Sequence, residues 1–418
     1  MATIPRPGYR RLLEARLRGF PAVVLLGPRQ CGKSTLARTL RLSRPGRHVA
    51  FDLERPSHLL RLHTAPEEDL GALQQRPGLI VIDEIQREPS LFPLLRVLLD
   101  EPQRRARYLL LGSASPTLVQ EGSESLAGRA VFLDLTPFLA SEVASTPGRL
   151  RRLWLRGGFP RSFLARSEAA SLEWREAYLR ALLERDVPAL RPGLEVATLR
   201  HLVTMLAHLH GGLVNESELA GGLGVTAPTV GRYIDVLEGL FAVRRLPSYF
   251  ANVGKRLTKA PRVYLRDPGL LHSLLGISDL DALRGHPKVG ASWEGFVIEQ
   301  VLGALGQGGI SVRPFFWRTH GGAEVDLILE IGEAIVPIEV KLSGSPTVSR
   351  GLGECMKDLA CPAGFVIHGG EDEFPLGRAV RALPARLVAS PDRLREALLR
   401  PVRLSPGSQP RSPRRGSA

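Results

Sequence analysis

The chain has 418 residues, 44% of them hydrophobic, which suffices for about two to four domains with buried cores. Its formal net charge of +14 favours a polyanionic partner, nucleic acid above all. No run of about 18 apolar residues occurs and the three cysteines show no zinc-ligand spacing, so the composition excludes a membrane span, a disulfide framework and a zinc site.

The first 20 residues predict a leading helix. They lack the apolar core of a signal peptide, and the three cysteines fit a reducing compartment. We therefore expect a cytoplasmic protein that makes no membrane contact.

A buried strand, a glycine-rich loop and the start of a helix follow one another between Val23 and Arg38. The loop fits the phosphate-binding pattern G-x-x-x-x-G-K-[ST], whose backbone N–H groups wrap a polyphosphate. Its residues are Gly27, Pro28, Arg29, Gln30, Cys31, Gly32, Lys33, Ser34 and Thr35. We expect this loop to bind ATP, with Lys33 at the β- and γ-phosphates and the Ser34 hydroxyl on Mg²⁺.

A second apolar run, at 79–82, ends in Asp83 and Glu84. Such a run is typical of a strand buried on both faces of a parallel sheet. At the end of this strand, Asp83 is expected to support the Mg²⁺ ion, and Glu84 is expected to orient and deprotonate the attacking water. A third strand leads into Ser113 and Ser115, either of which is a candidate sensor of the γ-phosphate or the water.

Two further strands are predicted at 47–52 and 130–135, with helical stretches between them. This alternation predicts an α/β fold with a parallel sheet of the P-loop NTPase type and helices on both faces. Ligands of such sheets bind at the carboxyl ends of the strands, where Lys33, Asp83 and Ser113 all fall.

From about residue 150 to 210 the pattern is helical. The segment 171–185 carries leucines and aromatic residues at helical spacing, which indicates a core-facing helix. Arg185 and Asp186 at its end are expected to cap the helix or to pair locally.

Residues 212–247 have the outline of a winged helix-turn-helix. Helices are predicted at 216–223 and 227–239, with Thr226 as an N-cap, and a strand is predicted at 242–246. The inner face of the second helix carries Val230, Tyr233, Ile234 and Leu237. Thr229 and Arg232 lie on its outer face. One interpretation is DNA contact through the major groove, and the other is a protein-interaction module, because Arg232 is the helix's one basic residue.

A hairpin of two strands, 324–329 and 334–341, carries charged residues that we expect to converge. A turn near Gly332 would place Asp326 opposite about Ile338, beside Glu339, and strand alternation places Glu339 and Lys341 on one face.

Glu294, on a helix that begins at 292, would complete this group. The pattern is that of the PD-(D/E)xK nuclease core, in which carboxylates hold Mg²⁺ and the lysine polarises water or phosphate. A solvated strand face and a non-cleaving role of the same fold are the alternatives. Apolar neighbours indicate that Lys341 is partly buried between the acids.

Over roughly 15–370 the chain resembles a large prokaryotic family of AAA-type P-loop ATPases with a C-terminal domain of unknown function. The segments that carry the resemblance are Gly27-Pro-Arg-Gln-Cys-Gly-Lys-Ser34, Ile82-Asp-Glu-Ile-Gln86, Leu111-Gly-Ser-Ala-Ser115, Ser125-Leu-Ala-Gly-Arg129, Gly157-Gly-Phe-Pro160, Tyr178-Leu-Arg-Ala-Leu-Leu-Glu-Arg-Asp186, Ser292-Trp-Glu-Gly295, Glu324-Val-Asp326 and Glu339-Val-Lys341. The resemblance implies an ATP-binding domain, a winged-helix segment and a nuclease-like C-terminal α/β fold. Arg129 is a candidate arginine finger, which would act across subunits of a homo-oligomer, or a candidate sensor arginine; the alternative is a structural arginine in a turn.

Together these patterns predict four segments: an ATPase domain at 1–145, a helical and winged-helix segment at 146–250, a nuclease-like domain at 251–400 and a disordered tail at 401–418. The expected function is Mg²⁺-dependent ATP hydrolysis on or near DNA. An ATP-regulated endonuclease and a nucleotide-gated protein-interaction switch with little turnover are the alternatives. Six of the 56 basic residues are lysine, a bias typical of GC-rich genomes, so part of the charge is compositional background.

Overall fold

A computed structural model describes residues 4–40, 46–115, 126–191, 193–249 and 260–399. A parallel α/β domain, a helical middle segment and a C-terminal domain with a mixed sheet follow one another along the chain, which confirms the predicted fold class. The predicted tail at 401–418 lies outside the described residues. Within those ranges, none of the helices combines the length and hydropathy needed to cross a membrane.

The N-terminal domain is built on a five-stranded parallel sheet. Its strands are β1 (Ala22–Leu26), β2 (Arg47–Asp52), β3 (Gly78–Asp83), β4 (Ala106–Gly112) and β5 (Ala130–Asp134). Its helices are α1 (Pro7–Gly19), α2 (Lys33–Thr39), α3 (Pro56–Thr64), α4 (Pro66–Gln74) and α5 (Leu91–Asp100). The strand order is β2-β3-β4-β1-β5, so β4 separates the strand that enters the P-loop from the strand that ends in Asp83.

Strand β1 shows why its uninterrupted apolar sequence forms a central strand. All five of its residues are buried. Val24 and Leu26 pack into a cluster with helix α5, whereas Val23 and Leu25 pack into a second cluster with α1 and α2. Both faces of the sheet are therefore covered, as expected of a parallel sheet.

The middle segment is mainly helical. Its helices are α6 (Ala140–Val143), α7 (Pro147–Arg156), α8 (Pro160–Phe163), α9 (Glu168–Ala181), α10 (Val187–Leu190), α11 (Val196–Leu209), α12 (Glu216–Leu223) and α13 (Ala227–Gly239). Strands β6 (Val243–Leu246) and β7 (Arg262–Leu265) pair antiparallel. A π-helical turn, Leu182–Asp186, joins α9 to α10.

Helices α12 and α13 have the predicted bounds. The Thr226 side chain accepts a hydrogen bond from the Thr229 backbone N–H (3.4 Å), as expected of an N-cap. The predicted inner-face residues are all buried: Val230, Tyr233, Ile234 and Leu237. Arg232 is exposed and donates to the Thr229 hydroxyl at 3.1 Å. The winged-helix interpretation itself stays a prediction.

The C-terminal domain packs helices on both faces of a six-stranded mixed sheet. Its strands are β8 (Arg313–Arg318), β9 (Glu324–Ile331), β10 (Ala334–Lys341), β11 (Gly364–His368), β12 (Phe374–Pro375) and β13 (Val380–Pro384). Its helices are α14 (Pro268–Leu274), α15 (Leu280–Gly285), α16 (Val289–Gln307), α17 (Arg350–Asp358) and α18 (Pro391–Leu399). The strand order is β12-β13-β11-β10-β9-β8. Helix α16 joins the cluster on one face, and α17 joins the cluster on the other.

The segment 157–160 fastens the middle segment to helix α14. Gly157 has a φ of 77°, and a Cβ there would lie 2.0 Å from Asp267 Oδ1, so only glycine fits. The Gly158 N–H donates to Asp267 Oδ2 at 2.8 Å, and the Leu270 N–H donates to Oδ1 at 3.0 Å. Burial raises the pKa of Asp267 to about 6.

Candidate nucleotide-binding site

The P-loop follows β1 at the carboxyl edge of the parallel sheet. The Gly27 N–H donates to the Gly112 carbonyl (3.2 Å), and a Cβ on Gly27 would lie 2.1 Å from the Leu135 carbonyl oxygen. Gly32, in the left-handed region with a φ of 105°, ends the loop, and α2 begins at the next residue. The two glycines thus let the loop turn tightly over the end of β1.

Lys33 is buried at the centre of the site, with 4% of its surface exposed. Its ammonium donates to the carbonyls of Gly27 (2.9 Å) and Pro28 (3.1 Å) and to the Ser113 hydroxyl (2.9 Å). The Ser113 hydroxyl in turn donates to Glu84 Oε1 at 2.9 Å. Three predicted site residues, Lys33, Ser113 and Glu84, therefore form one chain of hydrogen bonds. This chain runs along the carboxyl ends of β1, β4 and β3.

Asp83 and Glu84 stand at the end of β3. Burial raises the pKa of Asp83, while a hydrogen bond with the Ser34 side chain opposes that rise. Glu84 has a left-handed backbone, with a φ of 58°, and its N–H donates to Asp83 Oδ1 at 3.1 Å. The Gln86 amide binds the second oxygen of the Glu84 carboxylate. The two acids are thus held separately, Asp83 toward the P-loop hydroxyl and Glu84 toward Ser113.

Arg29 gives the P-loop a contact that the sequence did not reveal. Its guanidinium donates to Asp186 Oδ1 at 2.5 Å and also pairs with Glu54. The expected local pair of Asp186 is present, because Arg185 Nε lies 2.9 Å from Asp186 Oδ1. That expectation was incomplete, since the same carboxylate reaches the P-loop from the middle segment.

Arg6 is a second residue that sequence reasoning missed. It is buried just before α1, and its guanidinium donates to the carbonyls of Cys31 (3.2 Å) and Thr136 (2.9 Å). It also pairs with Glu142 at 2.7 Å. These bonds link the P-loop backbone to the segment just after β5 and to helix α6. The isolated position of Arg6 in the sequence did not indicate this role.

A cavity of about 420 Å³ opens beside the P-loop. Its lining combines the loop's end and helix α2 with apolar residues from the N-terminus and α8: Ile4, Pro5, Arg6, Pro7, Arg10, Cys31, Gly32, Thr35, Leu36, Thr39, Phe138, Pro160 and Leu164. The walls are mostly apolar, as in pockets that hold flat heterocycles.

Arg129 is not brought to this group. It immediately precedes β5, whose first residue, Ala130, pairs with Ala22 at the start of β1. Arg129 therefore lies at the amino edge of the sheet, opposite the P-loop, where it forms a two-pronged pair with Asp100 (2.6 Å for both bonds). A role in catalysis within this chain's own site does not fit this place. A role across subunits stays a prediction.

The predicted C-terminal residues do lie together, but the register differs by one. Leu327, not Asp326, stands opposite Ile338, because the turn comprises Gly332 and Glu333 instead of centring on Gly332. Lys341 Nζ lies 2.6 Å from Glu339 Oε1, as the shared strand face predicts. Its side chain is 43% exposed and therefore partly buried beside Glu339.

Arg262, from β7, is the cation buried among these acids. Its guanidinium reaches Glu294 (3.2 Å), Asp326 (3.4 Å) and Glu324 (2.7 Å). Asp326 also accepts a hydrogen bond from the Val340 N–H at 2.9 Å. Among the described residues, no group of three or more His, Cys, Asp or Glu side chains is arranged to hold a metal ion. Three of the carboxylates thus share one arginine that sequence reasoning missed.

Known proteins match all three parts of the chain. Residues 19–144 match the AAA domain family, and 148–281 and 289–388 match two domains of unknown function, DUF8612 and DUF4143. Uncharacterized protein Rv2008c of Mycobacterium tuberculosis and Uncharacterized protein Mb2031c of Mycobacterium bovis are each 45% identical over 380 residues, 90% of this chain and 83% of theirs.

Among solved structures, the Walker-type ATPase PABY2304 of Pyrococcus abyssi is 16% identical and covers 65% of this chain and 96% of its own, with a TM-score of 0.47. The AAA domain match, together with the P-loop geometry, indicates a nucleotide-binding, ATPase-like function. The chain is thus an AAA-type P-loop protein and belongs to the same family as the two mycobacterial proteins.

Proposed function

We propose that the protein binds Mg·ATP and hydrolyses it, in the cytoplasm, and that a nucleic acid partner stimulates the turnover. The observation that carries the proposal is the chain of hydrogen bonds from Lys33 through Ser113 to Glu84. It couples the residue that would bind phosphate to the residue that would activate water, through a hydroxyl placed between them.

Each residue of the site has a definite task in this proposal. The Lys33 ammonium exchanges its two carbonyl partners for phosphate oxygens, which are stronger, charged acceptors. The Ser34 hydroxyl and the Asp83 carboxylate, already in contact, are the hard oxygen donors that fit Mg²⁺. A bound Mg²⁺ ion would neutralise phosphate charge. Glu84 accepts the proton of the attacking water.

The cavity beside the P-loop supports a purine as the base. It adjoins Gly32 and Thr35, where the loop passes into α2, and its apolar walls include Phe138 and Pro160. A base in this cavity and a polyphosphate over the loop would be held by adjoining parts of one site. This arrangement favours a nucleotide over an isolated phosphate ion as the ligand.

The charge and the α12–α13 unit support DNA as the partner. The chain carries a net charge of +14, and α13 presents Arg232 to solvent next to Thr229. The paired strands β6 and β7 follow this unit, as a wing would. We do not extend the proposal to DNA cleavage, because Glu294 and Asp326 both already pair with the Arg262 guanidinium.

Substitution of the site residues tests the proposal. Lys33→Ala is expected to weaken ATP binding by about 10-fold or more, because phosphate loses its charged donor. Glu84→Gln is expected to bind ATP but to hydrolyse it about 100-fold more slowly, because the general base is lost. Both are measured by calorimetry and phosphate release, with single-stranded DNA, double-stranded DNA or neither.

Lys357→Ala and Glu88→Gln are the matched controls, since both make the same charge change outside the site and are expected to behave as wild type. A folded wild-type protein that binds no ATP contradicts the proposal. Hydrolysis that is lost in both site variants but indifferent to DNA contradicts the nucleic acid partner alone and favours a protein partner.

A further inference from the structure

Asp186 connects the P-loop to a part of the chain that binds no nucleotide in the proposed function. Its side chain is 6% exposed and sits at the last position of the π-helical turn between α9 and α10. Two neighbours in that turn, Leu182 and Leu183, and Val187 just after it are buried in the core cluster that includes α11, α12 and α13. The carboxylate is therefore fixed by the middle segment, and its strongest partner, Arg29, belongs to the loop that would hold the phosphates.

The Arg29 guanidinium is surrounded by carboxylates, one of which is the proposed general base Glu84. Burial lowers the pKa of its guanidinium, but the charges of Asp186, Glu84 and Glu54 outweigh burial and raise it. Arg29 directly follows Pro28, whose carbonyl accepts a hydrogen bond from the Lys33 ammonium at 3.1 Å, so the guanidinium extends from the same loop that would hold the phosphates. A terminal phosphate bound there would be a second anion within the reach of Arg29, and phosphate accepts the planar guanidinium fork as a carboxylate does.

A second contact joins the same two parts of the molecule. The Ser115 N–H donates to the Gly239 carbonyl at 2.8 Å, which ties the segment after β4 to the end of α13. Ser113, two residues earlier, is the hydroxyl bound to both Lys33 and Glu84. The Tyr178 hydroxyl of α9 also donates to the Arg29 carbonyl at 3.4 Å. Of these three contacts between the site and the middle segment, the Arg29–Asp186 pair is the one made by charged side chains.

We propose that Asp186 and the terminal phosphate of a bound nucleoside triphosphate are alternative partners of Arg29, so that triphosphate binding breaks the charged contact between the P-loop and the middle segment. The inference rests on the proposed function of this site and adds a phosphate-binding residue, Arg29, and a positioning residue, Asp186, to it. A nucleoside diphosphate lacks the competing group and leaves the Arg29–Asp186 pair in place.

Calorimetric titration of the full chain with ADP and with the non-hydrolysable triphosphate analogue AMP-PNP tests the competition. Asp186→Asn is expected to bind AMP-PNP about 3- to 10-fold more tightly than wild type, because Arg29 loses the more buried of the two carboxylates that pair with it, with ADP affinity within about twofold. Arg29→Met is expected to bind AMP-PNP about 10-fold more weakly, again with little change for ADP. In the double variant, Asp186→Asn has no further effect, because the residue through which it acts is absent.

Glu184→Gln is the matched control, since it makes the same charge change in the same turn but pairs with Arg200 and not with the P-loop. If Asp186→Asn proves unfolded by circular dichroism, Arg29→Lys keeps the charge without the fork and is expected to lose affinity for AMP-PNP alone. Equal effects on both nucleotides, or an Asp186→Asn effect that persists beside Arg29→Met, overturn the inference. A wild-type protein that binds neither nucleotide overturns the proposed function instead.

Discussion

Replacing Arg262 with methionine is expected to lower the free energy of unfolding by about 3–5 kcal/mol at pH 8, because the change removes one partner of a buried charge cluster. Glu294 and Asp326 would then face each other without their shared cation. Methionine keeps much of the volume of the arginine side chain, so the loss measures charge more than packing. The Glu324 side chain is 43% exposed and can be hydrated, so it adds little to the expected loss of stability.

The pH dependence of this loss identifies its cause. Burial raises the pKa of both Glu294 and Asp326; the Asp326 charge further raises the pKa of Glu294, and the Glu339 charge further raises that of Asp326. The Arg262 charge lowers both pKa values, so in the methionine variant the native acids retain more protons than in the wild type. The loss of stability is therefore expected to shrink as the pH falls from 8 toward 5. Urea unfolding of both proteins at several pH values measures the difference. A loss below about 1 kcal/mol at pH 8 contradicts the prediction.

Variants around Arg262 separate charge from geometry. Arg262→Lys keeps the cation without the fork that spans three carboxylates, and it is expected to fall between wild type and Arg262→Met. Glu294→Gln, added to Arg262→Met, removes one of the two uncompensated acids and is expected to restore part of the stability. A double variant less stable than Arg262→Met would show that the acids are not the source of the loss.

The nucleotide site was largely predictable from sequence because its parts are local. A run such as 79–82 can only be buried as a strand, and the parallel alternation then places Asp83, Lys33 and Ser113 at one edge. The structure adds that β4 lies between β1 and β3. Ser113 is therefore central to the site, whereas its sequence signal, a serine after a strand, was weak.

The partners of charged side chains were not predictable. Arg29 and Asp186 lie 157 positions apart, and Arg262 and Asp326 lie 64 apart, so no local pattern couples either pair. Asp186 carried a plausible local partner, Arg185, which satisfied the pattern and hid the longer contact. These pairs form only when elements that are distant in the sequence pack together. A short stretch of sequence gives no sign of that packing.

The one-residue difference between the predicted and the observed register of the β9–β10 hairpin has a different cause. Strand bounds in this region were predicted closely, and β10 has the predicted limits, Ala334–Lys341. The turn, however, comprises two residues, and a turn centre misplaced by half a residue shifts every opposed pair by one. Asp326 and Glu339 still converge, because the shift moves Asp326 toward Glu339 and not away from it.

Two buried histidines are expected to make the native state sensitive to mild acid. Burial lowers the pKa values of His210 and His272 to about 3 each. His272 is satisfied as a neutral ring, with one nitrogen 2.9 Å from the Leu155 carbonyl and the other 2.7 Å from the Ser292 hydroxyl. Because the Leu155 carbonyl only accepts, the first nitrogen carries the proton of the neutral ring and the Ser292 hydroxyl donates to the second. The Trp154 indole N–H donates to the same hydroxyl (3.0 Å), so a second ring proton would have to displace the Ser292 proton from this bond.

The sign of the effect follows from which state binds protons. Below pH of about 6.5 the unfolded chain protonates both histidines while the native state does not, so stability falls as the pH falls, until about pH 3. Between pH 7.5 and pH 5 the expected loss is about 2 kcal/mol per histidine. Glu294, whose pKa is raised by burial, acts in the opposite direction over part of this range, so variants must be compared with one another.

His272→Gln is the variant that isolates one histidine. It is expected to be less stable than wild type at pH 7.5, because the ring's two hydrogen bonds are disturbed, but to lose about 2 kcal/mol less between pH 7.5 and pH 5. His201→Gln, at an exposed position, is the matched control and should keep the wild-type slope. Urea unfolding at both pH values tests this prediction. If the free energy of unfolding of His272→Gln falls with pH as steeply as that of the wild type, the native protein accommodates the charged ring.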